Sequence, residues 1–503
     1  MVNFWSHLNE EAVISILVVD VGSSSVRALV VRPDGSVAAR HQAGAPANVP
    51  FPGLVEIDAK ATAAAIVEVA EACLSQVGGV DAVGIANQRG STVVWDAATG
   101  EPIGPALSWQ DLRTVGTCLE LQGEGLRLAP NEAATKAAWL LDNFDPARQR
   151  EVRLGTLDTW AAWVLSKGEL HVTDPSNAGV SGLLPTEDVL GGRAALAWDP
   201  VRLERLRIPA SALARIADTG GELGPASALR GAPPIYALIG DQQASLIGQG
   251  CVKPGDAKAT FGTGAFLDVN IGGAPPAFGA HAKRGERGCL PVVGWQLDGS
   301  LVWGVEGLML SAGTALQWLV DDLQVLASAA QSAEVASQCE DTGDVMFVPA
   351  LMGIGTPQWD FGARSVLVGM STGSGRPQVV RAVLRGVAQR GADLLEAARS
   401  DSGYPIAELR VDGGMSQNPV FVQELADACQ VPVAVSAEVE ATALGAAFVA
   451  GSCAGTWSSL QEAAALATPL AVVEPGSDSH RSRWAEALSR SLRWYPELSE
   501  LDF

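Results

Sequence analysis

The sequence predicts an α/β protein built from two similar domains. The chain has 503 residues, too many for one ordinary core, and is 48% hydrophobic but only 18% charged. An apolar strand, a turn of small residues and a second strand occur in 14–31, and the same order recurs in 256–270. We place the domain boundary near 248–256, where Gly and Pro cluster.

Regular elements follow the hairpin in each predicted domain. We expect an N-terminal domain over 12–250, a C-terminal domain over 251–475, and a C-terminal helix or tail over 476–503. Apolar runs and amphipathic spacing define the individual elements. They predict strands at 82–89 and 408–414, and helices at 134–144, 306–323, 376–399, 418–430 and 439–451.

Charge and cysteine content exclude several classes of protein. The formal net charge of -22 disfavours binding to nucleic acid or to anionic membranes, so an anionic ligand must be held by local N–H groups and a metal ion. Seven scattered cysteines without a C-x-x-C pair indicate reduced thiols in a cytoplasmic protein and no zinc site. The N-terminus lacks a signal-peptide pattern, and no apolar run reaches the ~18 residues of a membrane span.

The first hairpin carries the residue types of a phosphate-binding turn. Asp20 ends the strand, and the turn after it contains Gly22, Ser23, Ser24 and Ser25. Successive N–H groups and hydroxyls in such a turn bind phosphate oxygens, and a strand-end carboxylate suits hydrated Mg²⁺. Taken alone, an ordinary serine-rich hairpin is the commoner explanation.

Two later glycine-containing segments also fit either phosphate or nucleotide binding or an ordinary turn. The Gly-Thr-Gly turn at 262–264 lets the backbone approach a phosphate, although a plain hairpin turn is the commoner explanation. Residues 411–414, followed by Asn418 and a helix, place a glycine pair between a strand and a helix N-terminus. That arrangement suits a nucleotide, and a tight strand–helix connection explains it equally well.

Polar residues near two further strand ends suit an alcohol acceptor. Asp241 and Gln242 follow the apolar run 235–239, and phosphoryl transfer to an alcohol needs a carboxylate within reach of the attacking hydroxyl. A helix N-cap is the commoner role for such an aspartate. Arg89 offers a forked donor for vicinal hydroxyls, and Trp109 offers an apolar cover for a carbon chain. The alternatives are a surface arginine and a core tryptophan.

The order of these motifs, more than any one of them, indicates a function. A phosphate turn, a polar acceptor segment, a carboxylate, a second phosphate turn and a glycine-rich segment follow one another along the chain. This ordered set resembles the FGGY carbohydrate kinases, and within them the glycerol kinases. Similar segments span nearly the whole chain, at 84–114, 154–178, 240–250, 258–266 and 316–319.

The resemblance implies both a fold and a reaction. The implied fold is α/β, with two actin-like, ribonuclease H-like domains and ATP in the cleft between them, and the domains close to exclude water. The implied cofactors are ATP and Mg²⁺, and the acceptor is glycerol or a related small polyol or sugar. We also expect a homo-oligomer, either a dimer or a tetramer.

The resemblance also assigns roles to single residues of this sequence. Asp241 is expected to be the general base, and Asp20 is expected to orient Mg²⁺. The implied phosphate loop consists of Ser23, Ser24, Ser25 and Arg27; the nucleotide contacts are Thr263, Gly313, Gln317, Gly414 and Asn418; and the acceptor pocket consists of Arg89, Gly90, Trp109, Asn131, Asp241, Gln242 and Phe266.

Gly90 and Asn131 depart from the glycerol kinase pattern, which has glutamate and tyrosine at these places. Losing a carboxylate and an aromatic ring is expected to enlarge the pocket and to remove two polar contacts, each charged hydrogen bond being worth ~1.5–3 kcal/mol. A four- or five-carbon polyol or ketose is therefore an alternative acceptor. A non-catalytic, actin-like nucleotide-binding module is a further alternative, but the acid at Asp241 beside Gln242 favours a kinase.

Overall fold

The computed structural model describes residues 15–185, 196–278, 283–437, 440–476 and 478–501. Residues 12–14 and 439, with which a predicted domain and a predicted helix begin, lie outside these ranges. The strands of the first half are β1 Ile16–Val21, β2 Ser25–Val31, β3 Val37–Gly44, β4 Asn48–Phe51, β5 Leu54–Ile57, β6 Ala82–Asn87, β7 Thr92–Asp96, β8 Ala106–Leu107, β9 Val152–Thr156, β10 Val172–Thr173, β11 Arg215–Ile216, β12 Gly220–Pro225 and β13 Pro234–Gly240. Those of the second half are β14 Ala257–Phe261, β15 Ala265–Gly272, β16 Leu290–Leu297, β17 Ser300–Met309, β18 Met346–Val348, β19 Val366–Val368, β20 Leu409–Asp412, β21 Val433–Ser436 and β22 Pro469–Val473.

Helices connect and cover these strands. The helices of the first half are α1 Ala59–Val77, α2 Val115–Gly123, α3 Ala133–Phe144, α4 Leu157–Leu165, α5 Pro175–Gly179, α6 Pro200–Arg205 and α7 Asp241–Gly248. Those of the second half are α8 Gly313–Asp321, α9 Gln331–Ala336, α10 Arg376–Ser402, α11 Pro419–Cys429, α12 Ala441–Ala454, α13 Leu460–Ala464, α14 Arg481–Ser491 and α15 Pro496–Ser499, and short 3₁₀ turns lie at Ala210–Ala212 and Gly414–Gln417. No helix in the described ranges is long and apolar enough to cross a membrane.

One sheet of 13 strands runs through both halves, and each half repeats the same topology. We call the part built from first-half strands the first sheet and the part built from second-half strands the second sheet. In the first half, β1, β2 and β3 are antiparallel, and β6 and β13 continue the sheet in parallel with β1. In the second half, β14, β15 and β17 are antiparallel, and β20 and β21 continue in parallel with β14. The prediction of two similarly built halves is confirmed. A smaller sheet with the order β4-β5-β8-β7-β9 lies outside this repeat.

Strand β1, which lies between β2 and β6, is buried on both faces, which explains its apolar sequence up to Asp20. Leu17 and Val19 belong to the cluster that α1 covers. Ile16 and Val18 belong to a second cluster that includes Phe448 of α12. Because α12 comes late in the sequence, the core of the first sheet uses residues from both predicted domains. The division at 250 therefore stays a prediction about the sequence.

Helices α7 and α12 pack against each other through glycine. A Cβ on Gly248 would overlap the carbonyl oxygen of Ala441, and a Cβ on Gly445 would overlap that of Ala244. The obstructing atoms are backbone atoms, which cannot rotate away. The absence of two side chains therefore sets the spacing of the helices that join the halves.

Most predicted elements are present, and one is wrong in part. The helix predicted over 306–323 is strand β17 up to Met309 and becomes helix only at Gly313. Residues 306–309 form a strand because each of them pairs with a residue of β15. The predicted tail contains α14 and α15, and Trp484 of α14 is buried against the second half. All seven cysteines are free, as expected.

We predict that Gly248→Ala separates α7 from α12 and destabilises the protein by about 1–3 kcal/mol or more, because overpacked backbone must move. Thermal unfolding followed by circular dichroism measures the effect. Gly116→Ala in α2 is the control, because a Cβ there meets nothing within 4 Å. It is expected to be neutral or slightly stabilising. Equal midpoints for the two variants would contradict the helix-contact argument.

Candidate active site

Three neighbouring parallel strands bring the predicted catalytic residues to one edge of the first sheet. The register pairs Asp20 with Ala86 and Gly240 with Asn87. Asp20 therefore lies at the end of β1, Arg89 follows the end of β6, and Asp241 follows the end of β13. Carboxyl ends of parallel strands form the usual binding edge of such sheets.

The first hairpin turn is closed by a hydrogen bond from the Gly22 N–H to the Ser25 carbonyl, at 3.0 Å. Ser23 and Ser24 are exposed, whereas Ser25 is buried at the start of β2. The Ser23 hydroxyl donates to Gln88 Oε1 at 3.0 Å and accepts from Trp109 Nε1 at 3.2 Å. The predicted phosphate turn is thus tied directly to a predicted acceptor residue.

Asp20 is a buried carboxylate among other charges. Burial, with Asp241 and Glu440 nearby, raises its pKa to about 7, although Arg27 acts in the opposite direction. Arg27 forms an ion pair with Glu440, which immediately precedes α12. Among the described residues, no three His, Cys, Asp or Glu side chains meet as a metal ligand set. A single carboxylate completed by phosphate oxygens and water is nevertheless how Mg²⁺ is commonly bound, so Asp20 fits that ion.

Arg89 and Asp241 form the centre of the site. Arg89 Nε lies 3.6 Å from Asp241 Oδ1, and Arg89 Nη2 donates to Glu306 Oε2 at 2.6 Å. Its Nη1 is buried and has no hydrogen-bond partner among the described residues. The Phe266 ring lies beside the guanidinium, 5.9 Å from Cζ to the ring centroid. The geometry leaves one arginine donor for a ligand.

Asp241 combines access with a perturbed pKa. Its side chain is 30% exposed, so a ligand can reach it. Burial raises the pKa of this carboxyl above its ordinary value, while Arg89 and Lys258 act to lower it. A partly exposed carboxylate with a raised pKa is suited to accept a proton from an alcohol.

A row of buried charged residues lies behind this centre and was not predicted from the sequence. Lys258 Nζ donates to Gln242 Oε1 at 2.6 Å and pairs with Asp268 at 2.8 Å. Asp268 is the cross-strand neighbour of Glu306, which holds Arg89. The available signal was a single charged residue in each of three apolar strands, β14, β15 and β17, since such residues are rarely buried without partners.

A buried polar network lies behind the loop that carries Asp241. The Ser176 hydroxyl accepts from the Gly240 N–H at 2.9 Å and donates to Asp174 at 2.8 Å. Asn177 exchanges amide hydrogen bonds with Asn87, at 2.8 and 3.0 Å. This network joins the ends of β6 and β13 and was also missed, because its members are distant in sequence.

Backbone fills the space beside position 90, while the predicted enlargement of the acceptor pocket stays a prediction. Gly90 has φ +75°, and a Cβ there would overlap the carbonyl oxygen of Asn131. The Asn131 backbone thus fills the space that a side chain at 90 would need, and Asn131 itself is exposed. Behind them, the fully buried Lys136 donates to the carbonyls of Gly90, at 3.5 Å, and Glu132, at 3.0 Å.

The residues predicted to contact nucleotide fall into two groups. Gly313 packs on the turn at 262–264, its N–H donating to the Gly262 carbonyl at 2.8 Å, and Thr263 lies in that turn. Gly414 is exposed. The residue before it, Gly413, has a φ of +87° and lies against the Phe261 backbone, which leaves no room for a side chain. The other two side chains, Gln317 and Asn418, have local partners: Gln317 bonds to Asp321, and Asn418 caps α11 and bonds to Ser332.

We predict that Lys136 gives stability an unusual pH dependence. Burial lowers its pKa to about 7, against ~10.4 in an unfolded chain. Between these values the unfolded chain binds more protons, so stability rises with pH. Lys136→Met removes that rise, and the stability gained by the substitution should therefore shrink from pH 7 to pH 10. Thermal unfolding of both proteins at pH 6, 8 and 10 measures it, with the exposed Lys60→Met as control. A constant difference across this range would refute the prediction.

Comparison with known proteins identifies the family of this chain. The profile of the FGGY family of carbohydrate kinases matches in two parts, the N-terminal domain over 15–248 and the C-terminal domain over 257–454. Glycerol kinase of Dechloromonas aromatica is 39% identical, over 95% of this chain and 98% of that protein. Glycerol kinase of Gloeobacter violaceus is 38% identical, over 95% of this chain and 97% of that protein.

Solved structures agree as well. The structure of Plasmodium falciparum glycerol kinase with ADP superposes with a TM-score of 0.86 at 26% identity, over 95% of this chain and 98% of that one. Xylulose kinase from Lactobacillus acidophilus shares the fold, with a TM-score of 0.80 at 19% identity over 97% of each chain. These matches confirm the predicted actin-like, ribonuclease H-like fold in two domains. The chain therefore belongs to the FGGY family of carbohydrate kinases.

Proposed function

We propose that this chain transfers the γ-phosphoryl group of ATP to a hydroxyl of glycerol, with Asp241 as the general base. The observation that carries the proposal is the pairing of Asp241, an accessible carboxylate with a raised pKa, with Arg89, whose Nη1 has no partner among the described residues. The similarity to glycerol kinases over nearly the whole chain supports it.

Each part of the acceptor is met by a residue of suitable chemistry. Arg89 Nη1 donates to one hydroxyl oxygen, and Gln242 donates through Nε2 because its Oε1 accepts from Lys258. Asp241 accepts the proton of the attacking hydroxyl as the new O–P bond forms. Phe266 and Trp109 cover the carbon chain.

The nucleotide lies between the two halves in this proposal. In it, the turns at 22–25 and 262–264 bind its phosphates, with Ser23, Ser24 and Thr263 beside them. Asp20 would hold Mg²⁺, which neutralises phosphate charge when it is bound. Gln317, Gly414 and Asn418 stay predictions as nucleotide contacts, as do Arg27 and Ser25 as phosphate contacts.

The packing at Gly90 favours a small acceptor. The Asn131 carbonyl occupies the space beside Gly90, so no additional room is created there for a fourth or fifth carbon. The missing carboxylate still removes an acceptor of a hydroxyl proton, which is expected to weaken glycerol binding relative to a kinase that has one. Homo-oligomerisation and cytoplasmic location stay predictions.

The substrate is tested by measuring ADP release from ATP with three-, four- and five-carbon polyols and ketoses. Glycerol is expected to give the highest kcat/KM of the panel. A higher value for a five-carbon acceptor would reject glycerol as the substrate. No stimulated release with any acceptor would instead favour an actin-like binding module.

We predict that Asp241→Asn lowers kcat by at least about 10²-fold, because general-base catalysis contributes ~10²–10⁴-fold. Binding of ATP, measured by calorimetry, should stay within about twofold, since the substituted side chain is isosteric and faces the acceptor. Asp298→Asn is the matched control, in the exposed turn between β16 and β17, where φ of +49° suits asparagine. Near-wild-type turnover by Asp241→Asn would remove Asp241 from the base role.

A further inference from the structure

Three charged residues form a row across the second sheet, on the face directed at the acceptor site. Lys258 of β14 is the register partner of Asp268 of β15, and Asp268 is the partner of Glu306 of β17. Directly opposed residues on adjacent strands project from the same face. All three side chains are buried, with exposures of 0%, 5% and 6% in that order.

The two ends of the row contact the acceptor residues of the first half. At one end, Lys258 Nζ lies 2.6 Å from Gln242 Oε1, 3.0 Å from Thr260 Oγ1 and 2.8 Å from Asp268 Oδ2. At the other end, Glu306 Oε2 accepts from Arg89 Nη2 at 2.6 Å. The ammonium donates hydrogen bonds to Gln242 and Thr260, and its contact with Asp268 is an ion pair.

These contacts decide which atoms remain for a ligand. Lys258 can only donate, so it fixes the Gln242 amide with Oε1 turned towards the ammonium and Nε2 left to donate elsewhere. Glu306 takes one Arg89 nitrogen, while the other, Nη1, has no partner among the described residues. Within the described ranges, Asp241 is the charged residue of the first half that pairs with Arg89.

The row also balances its own charge. Two adjacent buried carboxylates, Asp268 and Glu306, are costly to bury unless cations flank them. Lys258 and Arg89 do so, one from each half of the molecule. Burial raises the pKa of Glu306, while Arg89 acts to lower it and Asp268 acts to raise it.

We propose that Lys258 and Glu306 are positioning residues for the acceptor: from the second half they orient Gln242 and Arg89, so that productive acceptor binding depends on the two halves being correctly docked. This inference rests on the proposed function. It assigns no contact between either residue and the acceptor, because both act through another side chain.

The test for Lys258 is a double-mutant cycle with Gln242, using glycerol as the acceptor. Lys258→Met is expected to raise the KM for glycerol by about 10–100-fold, the loss of a charged hydrogen bond, with the KM for ATP changed by less than about twofold. Because Lys258 acts through Gln242, the pair Lys258→Met with Gln242→Ala should be no worse than Gln242→Ala alone. Lys253→Met is the matched control, an exposed lysine in the loop before β14. Additive effects, or an unchanged KM for glycerol, would overturn the assignment.

The test for Glu306 uses a conservative variant. Glu306→Gln keeps an oxygen that accepts from Arg89 Nη2, whereas Glu306→Leu does not. The glutamine variant should therefore keep a KM for glycerol within about tenfold of wild type, and the leucine variant should have a higher KM than the glutamine variant. An equal rise in the KM for glycerol in both variants, accompanied by an equal loss of thermal stability, would indicate a purely structural role and overturn the proposal.

Calorimetric titration with glycerol separates this inference from the proposed function. If the wild-type chain binds glycerol but does not transfer phosphate, the proposed function fails, and the same variants test positioning through the glycerol Kd. If it neither binds nor phosphorylates glycerol, both fail. Should Lys258→Met not fold, Asp268→Asn replaces it, because that change removes the charge that holds Lys258 and should raise the KM or Kd for glycerol by a smaller factor.

Discussion

The contact between α7 and α12 is the constraint on which the rest of the site depends. The residue that begins α7 is Asp241, and the residue before α12 is Glu440, which pairs with Arg27 beside the first hairpin turn. Thr442 of α12 also bonds to the Asp241 carbonyl, at 3.5 Å. The glycine-mediated spacing of two helices thus sets the distance between the proposed base and the proposed phosphate site.

Burial of charge at the cleft has an energetic cost that the fold offsets by pairing across its two halves. Asp20, Asp241 and Glu306 all have raised pKa values, with burial as the largest cause. The compensating cations include Arg89 from one half and Lys258 from the other. A buried carboxylate that loses its partner is strongly destabilised, so this pairing favours the docked arrangement of the halves.

The sequence predicted those parts of the fold and site that have a local signal. Asp20, Arg89 and Asp241 are polar residues just after apolar strands, and such positions can be recognised without a structure. Lys258 and Glu306 could not be assigned in this way, since their partners belong to other strands or to the other half of the chain. The sequence around Glu306 predicts a helix, but this segment is a strand because its conformation is decided by pairing with β15, which is remote in sequence.

Gly90 shows what a residue-by-residue comparison of sequences can predict about a pocket and what it cannot. A missing side chain suggests a missing contact and a larger space. The missing contact follows from the sequence, whereas the size of the space depends on what packs there. The left-handed backbone at Gly90 allows the Asn131 carbonyl to close over it, and Lys136 donates to both this segment and the start of α3. Backbone therefore fills the space beside position 90, and a hydrogen-bond acceptor is missing there. In the proposed reaction Asp241 takes the proton of the attacking hydroxyl, so a second hydroxyl near position 90 needs another acceptor.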